Sequence, residues 1–217
     1  MDGLPHRLDD KEVGLLMKAP IRQPRAARGF TLIELMVTVA LLSILMMLAF
    51  PAMSEWMRNS RIRTVADALQ NGLRLAQTES LRRSRQTVFS LTADTNPADG
   101  LAAVEDGANW SVNFVPLLTG ESTDPTFIEG GTLIGLAPDV RITGPATLCF
   151  NSLGRVVDNP TPGTGVACSA AAAAYNITIP DVESVRAMRV LVALGGQVRL
   201  CDPAKTLSNT HPDGCPA

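Results

Sequence analysis

The sequence predicts an α+β fold: one long N-terminal helix, half membrane-spanning and half packed, laid against antiparallel β-sheets. Three observations predict it. Positions 30–51 read FTLIELMVTVALLSILMMLAFP, an apolar run of 22 residues with one formal charge, Glu34. Beyond it, Ile62, Val65, Ala66, Leu69, Leu73 and Ala76 recur at three- and four-residue spacing, the mark of a helix with one buried face. After Val88 that period fades, and short β-prone runs alternate with clusters of turn-forming residues.

The apolar run comes first in the chain. At about 1.5 Å per residue it rises about 33 Å, enough to cross a ~30 Å hydrocarbon core. A buried core helix is the competing reading, but 22 residues apolar on every face are too long and too uniform for one. A secretory signal has a shorter apolar region, about 7–15 residues, ending at a small-residue cleavage site. A single membrane span is expected. Lys18, Arg22, Arg25 and Arg28 precede it, and Arg58, Arg61 and Arg63 follow, so charge alone orients it weakly. Glu34 costs roughly 2.5–3.5 kcal/mol inside a bilayer and therefore asks for a partner.

The string Arg28-Gly29-Phe30-Thr31-Leu32-Ile33-Glu34-Leu35 resembles the processing and assembly signature of type IV pilins and pseudopilins. The resemblance implies that a prepilin peptidase cuts between Gly29 and Phe30 and that Phe30 is then methylated. It implies that Glu34 meets the amino terminus of a neighbouring subunit, an attraction strengthened by low dielectric. Pro51 falls where pilins carry a helix-kinking proline, whose missing N–H removes a backbone bond. The expected parts are a leader over 1–29, a transmembrane and assembly helix over 30–51, an amphipathic basic stem over 52–86, and a β-rich head over 87–217. Met17 is expected to be the true initiator, because a start there gives a leader with four basic residues and no acid. The implied location is the bacterial inner membrane, single-pass with a periplasmic head, and then a pilus or pseudopilus.

The stem is basic. Positions 57–88 hold seven Arg against Asp67 and Glu79, a local charge of +5, whereas positions 89–217 hold six basic and 13 acidic residues, or −7. Arg63, Arg74 and Arg85 are eleven apart and nearly in line on a continuous helix. The favoured reading is a solvated face partly neutralised by pairs such as Arg63 with Asp67. The sharper alternative sets this basic face against acidic heads of neighbours.

In the head, strands are expected over 87–92, 110–117, 146–150, 175–179 and 187–194. Turn clusters include Asn96-Pro97-Ala98-Asp99-Gly100 and Asn159-Pro160-Thr161-Pro162-Gly163. Gly195-Gly196 between β-prone runs predicts a tight hairpin. With a two-residue turn, Leu194 faces Gln197, Val192 faces Arg199, and Arg189 faces Asp202 as an ion pair. The alanines at 170–174 are too few to hold a helix and are placed in a loop. Cys149-Phe150-Asn151-Ser152-Leu153-Gly154-Arg155-Val156 and Gly195-Gly196-Gln197-Val198-Arg199-Leu200-Cys201 resemble the GspH/FimT family of minor pilins and minor pseudopilins. That resemblance adds other major and minor pilins or pseudopilins to the expected partners.

Four cysteines, Cys149, Cys168, Cys201 and Cys215, would meet oxidising conditions in a periplasmic head. Three pairings are possible, and nearness in sequence favours Cys149 with Cys168 and Cys201 with Cys215. Cys201, Asp202, His211 and Cys215 match no zinc template, and no metal or other cofactor is expected. With two histidines in the chain, far apart, a Ser-His-Asp triad has nothing to build on, and no enzyme is expected.

FimT-like relatives imply one further partner, double-stranded DNA, through a Gly-Arg-x-Arg motif. The matching positions are Gly196, Gln197, Val198 and Arg199, and only the second arginine is kept. Gln197, Arg199, Arg189 and Lys205 are the candidate contacts, but Asp202 and Asp213 offset the nearby charge. The favoured function is a structural subunit that assists assembly or priming of a type IV pilus. DNA uptake and a type II secretion pseudopilus are the alternatives.

Overall fold

The computed structural model describes residues 29–98, 102–115, 126–159, 167–182 and 184–216. Leader residues 1–28 with Met17, the turn residues Asp99, Gly100 and 160–163, and Leu117 lie outside them. A boundary between two structural units falls between Met46 and Met47.

One helix, α1 (Leu32–Arg83), carries both predicted helical segments. In the first unit its side chains are exposed throughout. In the second, Ile62, Val65, Ala66, Leu69, Leu73 and Ala76 are buried, so the stripe read from the spacing is the packed face. The helix stops at Arg83. Ser84 turns left-handed at φ 51°, the Ser84 N–H bonds Leu81 O and the Arg85 N–H bonds Ser80 O, a Schellman-type end with Arg82 and Arg83 in the last turn. Arg85 is thus beyond the helix, over the Phe114 ring, and does not continue the line of Arg63 and Arg74.

Among the described residues the head holds ten strands: β1 (Thr87–Thr92), β2 (Asn109–Phe114), β3 (Phe127–Thr132), β4 (Arg141–Thr143), β5 (Thr147–Phe150), β6 (Val156–Val157), β7 (Ala173–Thr178), β8 (Met188–Val192), β9 (Val198–Thr206) and β10 (Gly214–Cys215). They form two sheets, in the orders β3-β2-β1-β5-β6 and β10-β9-β8-β7-β4. Pairing is antiparallel except β10 on β9, which is parallel, so the second sheet is mixed. Ala173 and Ala174, expected in a loop, open β7 because they pair with Val192 and Leu191.

The two sheets and the stripe of α1 share one core. Every residue of β1 is buried, as suits a strand flanked on both sides. Phe89 stacks on Trp110 at 5.9 Å and meets Tyr175 edge-on at 6.1 Å. Gly72 lets the Trp110 indole rest on the helix, since a Cβ there would lie 2.9 Å from the ring. Each fully buried large side chain contributes about 1.5–3 kcal/mol.

The β8–β9 hairpin differs from expectation by one residue. Its loop is three residues, Leu194-Gly195-Gly196, closed by the Gly196 N–H on Ala193 O and the Ala193 N–H on Gln197 O. Gly196 sits at φ 88°, the left-handed position of a turn-plus-bulge. Val192 therefore faces Val198, Leu191 faces Arg199, and Arg189 faces Cys201.

Candidate functional site

The predicted processing and assembly residues lie at the start of α1. Gly29 and Phe30 precede the helix, and Phe30 is 84% exposed. Thr31 caps it: its hydroxyl accepts the Glu34 N–H at 3.2 Å, and its carbonyl accepts the Leu35 N–H at 3.1 Å. Sequence reading passed over this cap, although Thr followed by Glu three residues on signals one. The cap uses the backbone of Glu34. Its carboxylate is exposed and has no partner among the described residues.

The hydroxyls inside the apolar run bond the helix backbone, Thr38 to Leu35 O and Ser43 to Val39 O, so they add no unpaired donor to an apolar surface. Pro51 lies inside the helix, where it has no N–H for the Met47 carbonyl. One turn on, the Ser54 hydroxyl donates to Pro51 O at 2.8 Å.

The cysteines join as Cys149–Cys168 and Cys201–Cys215. The first covers a small cluster with Val88 and Val115, and the second ties β10 to β9. Beside the second lies an ion cluster. Arg186 reaches Asp202 at 2.6 Å and Asp213 at 2.7 Å, and Lys205 reaches Asp213 at 2.8 Å. Lys205, ahead of Arg186, holds the Asp213 carboxyl below its ordinary value, and Asp202 above all raises Arg186. Arg186 was missed because it comes from the segment before β8, at no helical or hairpin spacing from either acid. Arg189, expected opposite Asp202, instead donates to Asn176 at 2.6 Å, which follows from the shifted register.

Three of the four DNA candidates are used within the head. Arg199 donates to Pro212 O and Gly214 O, Lys205 to Asp213, and Arg189 to Asn176, while Gln197 is an exposed loop residue. The stem arginines are also engaged: Arg61 with Asp139, Arg82 and Arg83 with Glu79, and Arg74 with Val198 O. Glu79 is almost buried, and the hydrogen bond from Arg82, more than that from Arg83, keeps its carboxyl below the usual range. Arg63 stands 3.9 Å from Asp67, the predicted pair. Carboxylates of the chain thus answer Arg61, Arg82 and Arg83 closely, whereas Arg63 stays exposed beside Asp67 and Arg58 is exposed as well.

Two families match. Residues 24–50 match the Prokaryotic N-terminal methylation motif, and residues 65–196 match the Type II transport protein GspH family. The chain belongs to the GspH family. As a GspH-family chain with a methylation motif, it is a minor pilin or pseudopilin, a structural subunit that works with other pilins or pseudopilins. Among solved structures, it is similar to the type IV minor pilin FimU of Pseudomonas aeruginosa, with 14% identity over 71% of this chain and 97% of that one, TM-score 0.47. It is also similar to the minor pseudopilin EpsH from the Type 2 Secretion System of Vibrio cholerae, with 16% identity over 67% and 99%, TM-score 0.41. No curated protein matches it significantly.

Proposed function

We propose that this chain is a minor subunit that helps initiate or prime a type IV pilus. In this reading it is cut between Gly29 and Phe30 by a prepilin peptidase, methylated on Phe30, and held in the inner membrane with its head in the periplasm until assembly. One observation carries the reading: Glu34 offers a carboxylate without a partner among the described residues, in the first turn of a helix whose apolar side chains are all exposed up to Met57. Such a surface needs partners outside the chain, first lipid and then the helices of other subunits. The carboxylate fits the α-amine that cleavage would free on a neighbour.

Intact mass in strains with and without the peptidase tests the cut. The expected difference is the mass of the leader less the CH2 gained on methylation, and identical masses would falsify the processing step. Glu34→Leu is expected to leave the cut in place but remove the chain from sheared filaments. Normal incorporation would remove Glu34 from the account. A deletion assayed for twitching, DNA uptake and secretion separates pilus from secretion roles. DNA binding has less support, because Arg199, Arg189 and Lys205 already hold acceptors within the head.

A further inference from the structure

We propose that a groove at the foot of the stem binds the phosphate of a membrane phospholipid headgroup, from the leaflet on the side of the head. The proposal rests on the membrane-anchored reading above. The groove has a volume of about 420 Å³ and one wall of Trp56, Asn59, Ser60 and Arg63. These positions are i, i+3, i+4 and i+7, one face of a helix. Each side chain carries a donor: an indole N–H, an amide NH₂, a hydroxyl and a guanidinium.

None of those donors is satisfied among the described residues. Asn59 uses only its oxygen, which accepts the Arg186 N–H at 2.8 Å. Arg63 is 74% exposed, and its nearest carboxylate, on Asp67, is at 3.9 Å, too far for a hydrogen bond. The acids on the opposite wall, Asp202 and Asp213, are already answered by Arg186 and Lys205. What the groove lacks is an acceptor with several oxygens. A phosphate supplies that, and its negative charge matches Arg63 and the neighbouring exposed Arg58.

Depth selects the source of the phosphate. Trp56 lies five residues past the end of the apolar run, about 7.5 Å along a helix, where headgroups begin and where Trp is favoured. Trp56 is 66% exposed, and Met53, one turn earlier on the same face, is 61% exposed. An acyl chain of the bound lipid would run along Met53 while its phosphate sits among the donors. The role of the site is to fix the subunit's height in the bilayer before a filament takes it up.

The test uses the full chain in detergent, titrated with phosphatidylglycerol and read by native mass spectrometry. Arg63→Gln is expected to retain the lipid about fivefold less well, the effect of one arginine near a membrane surface. Arg155→Gln, on an exposed turn of the head, is expected to behave as wild type. Inorganic phosphate and duplex DNA, added as competitors, are expected not to displace the lipid. Equal retention by wild type and Arg63→Gln would overturn the proposal, as would displacement by free phosphate or by DNA. Recovery of both proteins in the membrane fraction separates the two readings. If neither is recovered there, the anchor itself fails; if both are, a negative lipid result removes the groove alone.

Discussion

Residues 32–46 and 62–76 belong to one helix, and both are rich in Leu, Val, Ile and Ala, yet their surroundings are opposite. The first stretch is exposed on every side. The second buries Ile62, Val65, Ala66, Leu69, Leu73 and Ala76 and keeps Arg63, Arg74 and Asp67 outside the core. Apolar content does not separate them; its arrangement does. A stripe with a polar complement finds its partner within the chain, whereas the surface apolar all round has none among the described residues.

The comparison is broken most directly by truncating one leucine in each stretch. Leu69→Ala removes a fully buried side chain, and the head should lose about 2–5 kcal/mol, seen as a lower melting temperature of the full chain in detergent. Leu41→Ala should leave that melting temperature unchanged. Equal losses would mean that the first stretch is also held from within.

Covalent ties mark the same contrast, since both disulfides lie in the head. Replacing Cys201 and Cys215 together by Ser opens a loop of sequence separation 14, and a loss of about 3 kcal/mol is expected in a denaturant midpoint. The exposed helix should incorporate into membranes as before.

The smallest effect is acid sensitivity. Glu79 and Asp213 have folded values below their ordinary ones of 4.5 and 3.8. Their stabilisation is fully present above those ordinary values and is lost as pH falls from there through the lowered folded values. Melting of the head should therefore be flat near neutrality and decline below about pH 4.5. Glu79→Gln should weaken that decline.

Much of this architecture was legible because it rests on periodicity. The stripe on α1 and the bounds of β1 follow from spacing, and the two cysteine pairings agree with nearness in sequence. The edge strand β3 was not legible, because Gly130 and Gly131 interrupt it and carry no side chain to mark a strand. They are in a strand because of contacts far away in sequence: a Cβ on Gly131 would lie 2.7 Å from the Trp110 indole nitrogen. The hairpin register failed for a similar reason. Two glycines suggest a two-residue turn, but Gly196 takes a left-handed bulge position pressed against the Gly154 carbonyl, a neighbour from the other sheet. At the candidate site, the Arg28-to-Leu35 motif was fully readable. The groove donors were not, since their isolation depends on where Arg186 and Lys205 spend their charges.

That meeting of glycines has a mechanical side. Gln77 on α1 donates to Gly154 O at 3.1 Å, Gly196 seats on the same carbonyl, and the Val156 N–H bonds Leu194 O at 3.0 Å. One turn from each sheet is thus fastened to the other and to the helix at a single corner. A pull along the stem is shared there between both sheets at once, and links strained side by side yield later than links strained one after another. In the proposed pilus subunit, this corner would share a load on the stem between the two sheets.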